Sequence, residues 1–193
     1  MKLFSFAVCA LYLLSACVTS RPDHYYILHS EPPGTTQARK TPATQVALSV
    51  SLPSSVDRSE MVINTTADGV LVLEHERWAA PLTDLVTQAL AQDLERRRGD
   101  LLVAGHGAVH AGGPAIEITV AIPQMTVRRS GEASIETHWR ILGMRTGKDE
   151  VGGAVFSAPL RQDSYASVAE ALSECVGLLA ERLIGEIPKV EAQ

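Results

Sequence analysis

The chain has 193 residues, of which 46% are hydrophobic, 5% aromatic and 20% charged, with a formal net charge of −5. That length predicts a single domain, at about one domain per 150 residues, and so apolar a composition excludes a disordered chain. The acidic balance excludes a general nucleic-acid binder, which needs a basic face, and cysteines only at 9, 17 and 175 exclude a disulfide scaffold.

The first element in the chain is not part of the domain. Lys2 precedes an uncharged, mostly apolar run from Leu3 to Leu14, well short of the ~20 residues that a membrane-spanning helix needs. One positive charge, a short apolar run and then small residues make the pattern of an export signal. The small residues are Leu14-Ser15-Ala16-Cys17, which resemble the lipobox of bacterial lipoproteins. In those proteins the cysteine thiol takes a diacylglyceryl group, the preceding peptide is cut, and the new amino terminus is acylated. The resemblance implies a signal peptide over 1–16, lipidation at Cys17 and a tether over 17–22. Val18 in place of aspartate implies onward export to the outer membrane. An ordinary secretory signal with an incidental cysteine is the plainer alternative, and the place of Cys17 at the end of the apolar run speaks against it. Cleavage removes Lys2 and leaves the mature chain one charge more acidic than the precursor.

The expected domain covers 23–193. Tyr25-Tyr26-Ile27-Leu28 fits a short strand, and the turn formers of 31–44 predict a flexible loop. Val46, Leu48, Val50 and Leu52 alternate with smaller or polar residues, the period of a strand with one buried face. Val62-Ile63 reads as a further strand, Asn64 to Gly69 as a turn, and Val70 to Trp78 as extended again. Pro81 then opens a helix, where its missing N–H costs nothing. Leu82, Leu85, Val86, Ala89, Leu90 and Leu94 fall on one face. Arg96-Arg97-Arg98 and Gly99 are expected to close it, the cations favouring the negative helix end and the glycine a left-handed cap.

Leu101 to Ala104 reads as a short strand. Ile116, Ile118, Val120 and Ile122 alternate up to Pro123, and Ile135, Thr137, Trp139 and Ile141 alternate with Glu136, His138 and Arg140 opposite. Val151 to Phe156 reads as one more strand. The last helix follows Asp163, with Ser167-Val-Ala-Glu170 as its capping box. Val168, Leu172, Cys175, Leu179, Leu183 and Ile187 form its apolar face before Pro188. Together these predict an α/β fold, a mixed β-sheet packed by two main amphipathic helices in a single domain.

Few residues carry chemistry. Glu74 and Glu76 share a face of their strand, their Cα atoms about 7 Å apart by the strand rise, and such a pair is what glycosidic acid–base work requires. Two solvated charges are the plainer reading. His106 and His110 have the spacing of a zinc pair, but they sit among glycines rather than on a helix with an adjacent glutamate. The glycines from 105 to 113 lack the lysine–hydroxyl ending of a phosphate loop and read as a turn. No Gly-x-Ser-x-Gly elbow occurs. Cys175, on an apolar helix face, behaves as a small hydrophobe. The arginines at 96–98 suit a lipid phosphate or an acidic partner, or simply a solvated helix end. No metal or cofactor is expected.

The order of segments resembles the ABC-transport auxiliary lipoproteins, including the paraquat-inducible protein C group. The motifs are the lipobox, Tyr25-Tyr26-Ile27-Leu28, then Leu52-Pro53-Ser54-Ser55-Val56-Asp57-Arg58-Ser59-Glu60-Met61-Val62, and Arg77-Trp78-Ala79-Ala80-Pro81-Leu82. The closing helix after Asp163-Ser164-Tyr165 is similar too. Val56, Ser59 and Met61 depart mildly from the family pattern. The resemblance implies a non-enzymatic lipoprotein on the periplasmic face of the outer membrane, docking in an ABC-type or mammalian-cell-entry (MCE) type system that moves lipids between membranes. Its partners would be MCE-domain or ABC transporter components, with the membrane held through the N-terminal acyl chains and homo-oligomerisation left open. On this reading Asp57 and Arg58 offer polar contacts at a surface, and Trp78 wedges the helix start against the sheet. Two other readings stand beside it: a periplasmic carrier holding an acyl chain between helices and sheet, and a hydrolase resting on Glu74 and Glu76 alone.

Overall fold

The computed structural model describes residues 21–30, 44–65, 69–105, 113–128 and 131–188. Cys17 and the expected signal peptide, residues 31–43 of the expected loop, and His106 and His110 lie outside them. Eight strands and two helices follow in chain order: β1 (His24–Tyr26), β2 (Thr44–Ser51), β3 (Glu60–Asn64), β4 (Val70–Trp78), α1 (Leu82–Arg97), β5 (Leu101–Ala104), β6 (Ile116–Arg128), β7 (Glu132–Gly143), β8 (Asp149–Pro159) and α2 (Tyr165–Glu186). This is the expected mixed sheet with two helices.

β6 is the strand on which the sheet is built. Its first half pairs in parallel with β2, from Val46 opposite Ile116 to Ser51 opposite Ala121. Its last residue, Arg128, meets Asn64 of β3, and the Asn64 Oδ1 accepts the Val127 N–H at 2.9 Å. Its other side pairs antiparallel with β7 from end to end. The sheet therefore forks beside β6. One branch carries β2 and β5, the other β3, β4 and β1, while β7 carries β8 on the opposite side.

The buried faces are those the periodicity predicts. On α1, Leu82, Leu85, Val86, Ala89, Leu90 and Leu94 are all buried. On α2, Val168, Leu172, Cys175, Leu179 and Leu183 are buried, as is Ile187 just beyond its end. Inner residues of β2, β6 and β7 fill the space beneath them: Val46, Leu48 and Val50, then Ile116, Ile118, Val120 and Ile122, then Ile135, Thr137, Trp139 and Ile141. α1 packs on β2 and β5, α2 on β7 and β8, and the helices pack on each other.

Several boundaries differ from expectation, each for a local reason. β1 covers His24 to Tyr26 rather than 25–28, because only three residues find register partners on β4. Thr44 opens β2 instead of ending a loop, its N–H donating to the Asp100 carbonyl at 2.7 Å. Pro123 does not end its strand: the register shifts between Ala121 and Gln124, a bulge of the kind that accommodates a residue without an N–H, and β6 runs on. β8 extends to both sides of the expected 151–156.

Helix ends differ as well. Ser164, not Ser167, caps α2, its side chain accepting the Ser167 N–H. The Ser167 hydroxyl turns back and accepts the N–H groups of Arg161 and Gln162 at 2.9 and 3.2 Å. Gly99 is not in the left-handed region. The cap of α1 is Arg98 in extended conformation, its N–H donating to the Leu94 carbonyl.

Candidate functional site

The motif residues meet in one place. Asp57, in the turn after β2, accepts the N–H of Thr83 in the first turn of α1 at 2.9 Å. Pro81 stands at the N-cap and supplies no side-chain cap, so this carboxylate, 26 residues upstream of Thr83, serves one of the orphan N–H groups of the helix start. Its charge also suits the positive helix end. Arg58 donates to Glu60 at 3.0 Å, and Glu60 pairs with Arg77 at 3.1 Å. Arg77 also donates to the Ser59 hydroxyl at 2.8 Å. The Arg58 hydrogen bond, foremost, holds the Glu60 carboxyl below its ordinary range.

Backbone bonds close the same joint. The Trp78 N–H donates to the Ser59 carbonyl at 2.7 Å and the Ala79 N–H to the Tyr26 carbonyl at 2.9 Å. Trp78 is buried in the core, as expected, and borders a cavity of about 190 Å³ with Val56, Leu82 and Leu172. Asp57 thus binds the residue that follows the second motif, and Arg58 binds Glu60 within the first, both from exposed positions. Both make polar contacts at the surface, as expected of them.

A second cluster joins β1 to β4. His24 and Tyr26 lie opposite Glu76 and Trp78. The Tyr26 hydroxyl donates to Glu76 Oε2 at 2.6 Å, and His24 Nδ1 lies 3.1 Å from Glu76 Oε1. Burial acts to raise the Glu76 carboxyl, but the bonds from Tyr26 and His24 and the charges of His24 and Arg21 outweigh it and hold it below 4.5. Burial and the bond to Glu76 push the Tyr26 hydroxyl up to about 12. Glu74 stays exposed on β4. Glu76 is thus held by Tyr26 and His24, with its carboxyl lowered where the general acid of a glycosidase has a raised one. Sequence reasoning placed Glu76 on its strand but missed its partners, which lie about fifty residues away.

These residues also wall a cavity of about 290 Å³ between the β1–β4 edge and the start of α2. Its apolar side is Ile63, Leu160 and Val168, and Tyr26, Tyr165 and Glu76 line the rest.

The remaining candidates are structural. Arg98 grips Asp100 through two bonds of 2.9 and 2.6 Å and donates to the Ile187 carbonyl at the end of α2. It is a clamp between the two helix ends rather than a solvated cation, while Arg96 is exposed. Cys175 is a free, buried cysteine, and burial pushes its thiol up to about 12. Among the described residues no three His, Cys, Asp or Glu side chains are grouped to hold a metal, and no helix is long and apolar enough to cross a membrane.

Among the solved structures that resemble this fold are two that match most of its length. One, a crystal structure of an uncharacterised protein, covers 87% of this chain and 100% of its own, at 15% identity and a TM-score of 0.70. The other, a Xanthomonas campestris protein of the DUF330 family, covers 84% and 94% at 16% identity and a TM-score of 0.63. At such identities the likeness shows the fold alone. No curated protein matches the sequence. The family model of the ABC-type transport auxiliary lipoprotein component matches residues 26–183. The chain belongs to that family.

Proposed function

We propose that this chain is a lipoprotein held by acyl chains on Cys17 at the periplasmic face of the outer membrane. There it acts, without catalysis, as a docking component of an ABC-type or MCE-type system moving lipids between membranes. The observation that carries this reading is the family match, which runs from β1 almost to the end of α2. The geometry is in keeping with it. Asp57 braces the start of α1, Arg58, Glu60 and Arg77 tie the turn after β2 to the end of β4, and Glu76 is committed to Tyr26 and His24. What the fold presents is a rigid sheet with one face covered by helices.

Acyl anchoring has a physical basis in this reading. Each buried methylene contributes about 0.8 kcal/mol, so several chains on one residue hold a protein durably where one does not. Palmitate labelling tests the anchor: Cys17→Ala abolishes incorporation, and a variant labelled as strongly as the wild type contradicts it.

One observation favours a second reading, a carrier of an acyl chain: the cavity beside Tyr26 and Val168. At about 290 Å³ it lies at the lower end of the ~300–1,000 Å³ usual for small-ligand sites. Native mass spectrometry of the unacylated domain purified without detergent separates the two. A docking component carries no stoichiometric lipid, whereas a carrier retains one.

A further inference from the structure

We propose that the outward face of the β1 segment, with Tyr25 on the strand and Ile27 just beyond its end, rests on the lipid surface of the membrane that anchors the chain. This rests on the acylation of Cys17 and adds to it an orientation for the domain.

The residues after the tether alternate. Tyr26 and Leu28 turn inward, Tyr26 toward the cavity and Leu28 into the core at 7% exposure, while Tyr25 and Ile27 stand 64% and 60% exposed. β1 pairs with β4 and stands at the end of its branch of the sheet. Two large apolar side chains, one on this terminal strand and one just past its end, expose surface that folding of the domain does not cover.

Chain length says what covers it. Tyr25 follows Cys17 by eight residues, and a fully extended chain spans at most about 3.3–3.6 Å per residue. The patch is therefore never more than about 26–29 Å of chain from the bilayer, and membrane contact is effectively intramolecular. Other exposed apolar residues stand farther along the sheet. Val70 lies at the opposite end of β4, six residues before Glu76, or about 20 Å by the strand rise. Val151 and Val155 are on β8, at the end of a different branch.

The side chains suit that occupant. Tyrosine has an apolar ring and a polar tip and concentrates at the headgroup level of bilayers. Isoleucine beside it adds apolar area at the acyl boundary. The nearby Arg21 is attracted by anionic headgroups, against the net acidity of the chain as a whole.

The test uses the mature acylated protein in vesicles of phosphatidylethanolamine and phosphatidylglycerol, brominated in the shallow half of one acyl chain. Tyr25→Trp places an indole on the patch, and Val151→Trp places one on β8, both at exposed positions that the core does not use. The buried Trp78 and Trp139 of the wild type supply the background to subtract. The expected result is that the indole at 25 shifts to the blue and loses emission as bromine content rises, while that at 151 does neither. Equal quenching at both positions, or at neither, in protein that floats with the vesicles overturns the proposal alone. Protein that fails to float overturns the acylation of Cys17 and this orientation with it. An indole at 25 unquenched in vesicles but protected on addition of solubilised membrane proteins assigns the face to a protein partner and equally overturns it.

Discussion

Asp57 shows how one carboxylate links two distant motifs. It sits in the turn after β2 and caps a helix whose own N-cap is a proline without a side-chain hydrogen bond. Its removal leaves an N–H of the first turn unserved, and loss of such a cap costs about 0.5–2 kcal/mol. Asp57→Ala is expected to lower stability to urea by that amount, and Asp57→Asn, which keeps an acceptor oxygen, by less. Glu76 makes the second residue-level case. Its carboxyl is held below 4.5 in the folded state, against the opposing effect of burial, chiefly by the Tyr26 and His24 hydrogen bonds. A depressed carboxylate pKa contributes stability that is fully present above the unfolded value and lost as pH falls through the folded one. Tyr26 acts in the opposite range: its raised pKa gives stability present below 10.0 and lost as pH rises toward about 12. Unfolding measured against pH should therefore show the wild type losing its margin over Glu76→Gln below about pH 4.5. Parallel profiles for the two proteins would contradict this account of the cluster.

At the scale of elements, β8 depends on a missing side chain. A Cβ on Gly152 would lie 2.5 Å from Cε2 of Trp139. That indole is fixed from its other side: its N–H donates to Glu186 at 2.6 Å, and the Arg182 guanidinium lies 5.9 Å from its ring centre. Gly152→Val therefore overpacks the contact between β7, β8 and α2, at about 1–3 kcal/mol. Gly131→Ala, where a Cβ meets nothing within 4 Å, is expected to stay within about 0.5 kcal/mol. Denaturant titration of the two variants measures both.

What the sequence made legible at this scale was local. The helix faces of α1 and α2 and the alternation in β2, β6 and β7 follow from periods of 3.6 and 2, which any stretch of chain displays without its neighbours. What it hid was decided by partners far along the chain. Gly99 has the composition of a left-handed cap, but Arg98 is held extended by Asp100 and the Ile187 carbonyl. Ser167 followed by Glu170 looks like a capping box, yet Ser164 takes that role and frees Ser167 to bind the chain before it. The fork of the sheet at β6 and the meeting of Asp57 with Thr83 leave no periodic trace at all. The motifs of the candidate site were visible as words, and their roles became readable only once the fold brought them together.

At the scale of the molecule, a sheet covered on one face by helices defines the arrangement. The helices close one face, Asp57 of the first family motif braces the start of α1, and the first described strand lies a few residues beyond Cys17. On the proposed reading such a body works by position, holding a transport component near the membrane to which its acyl chains bind. Affinity purification of the acylated chain from gently solubilised membranes, with quantification of MCE-domain protein in the eluate, tests this most directly. The account predicts that an MCE-domain protein is recovered with the wild type and is depleted when Cys17→Ala is the bait. Recovery of the lipoprotein alone, from cells whose transporter assembles equally well without it, would contradict the account.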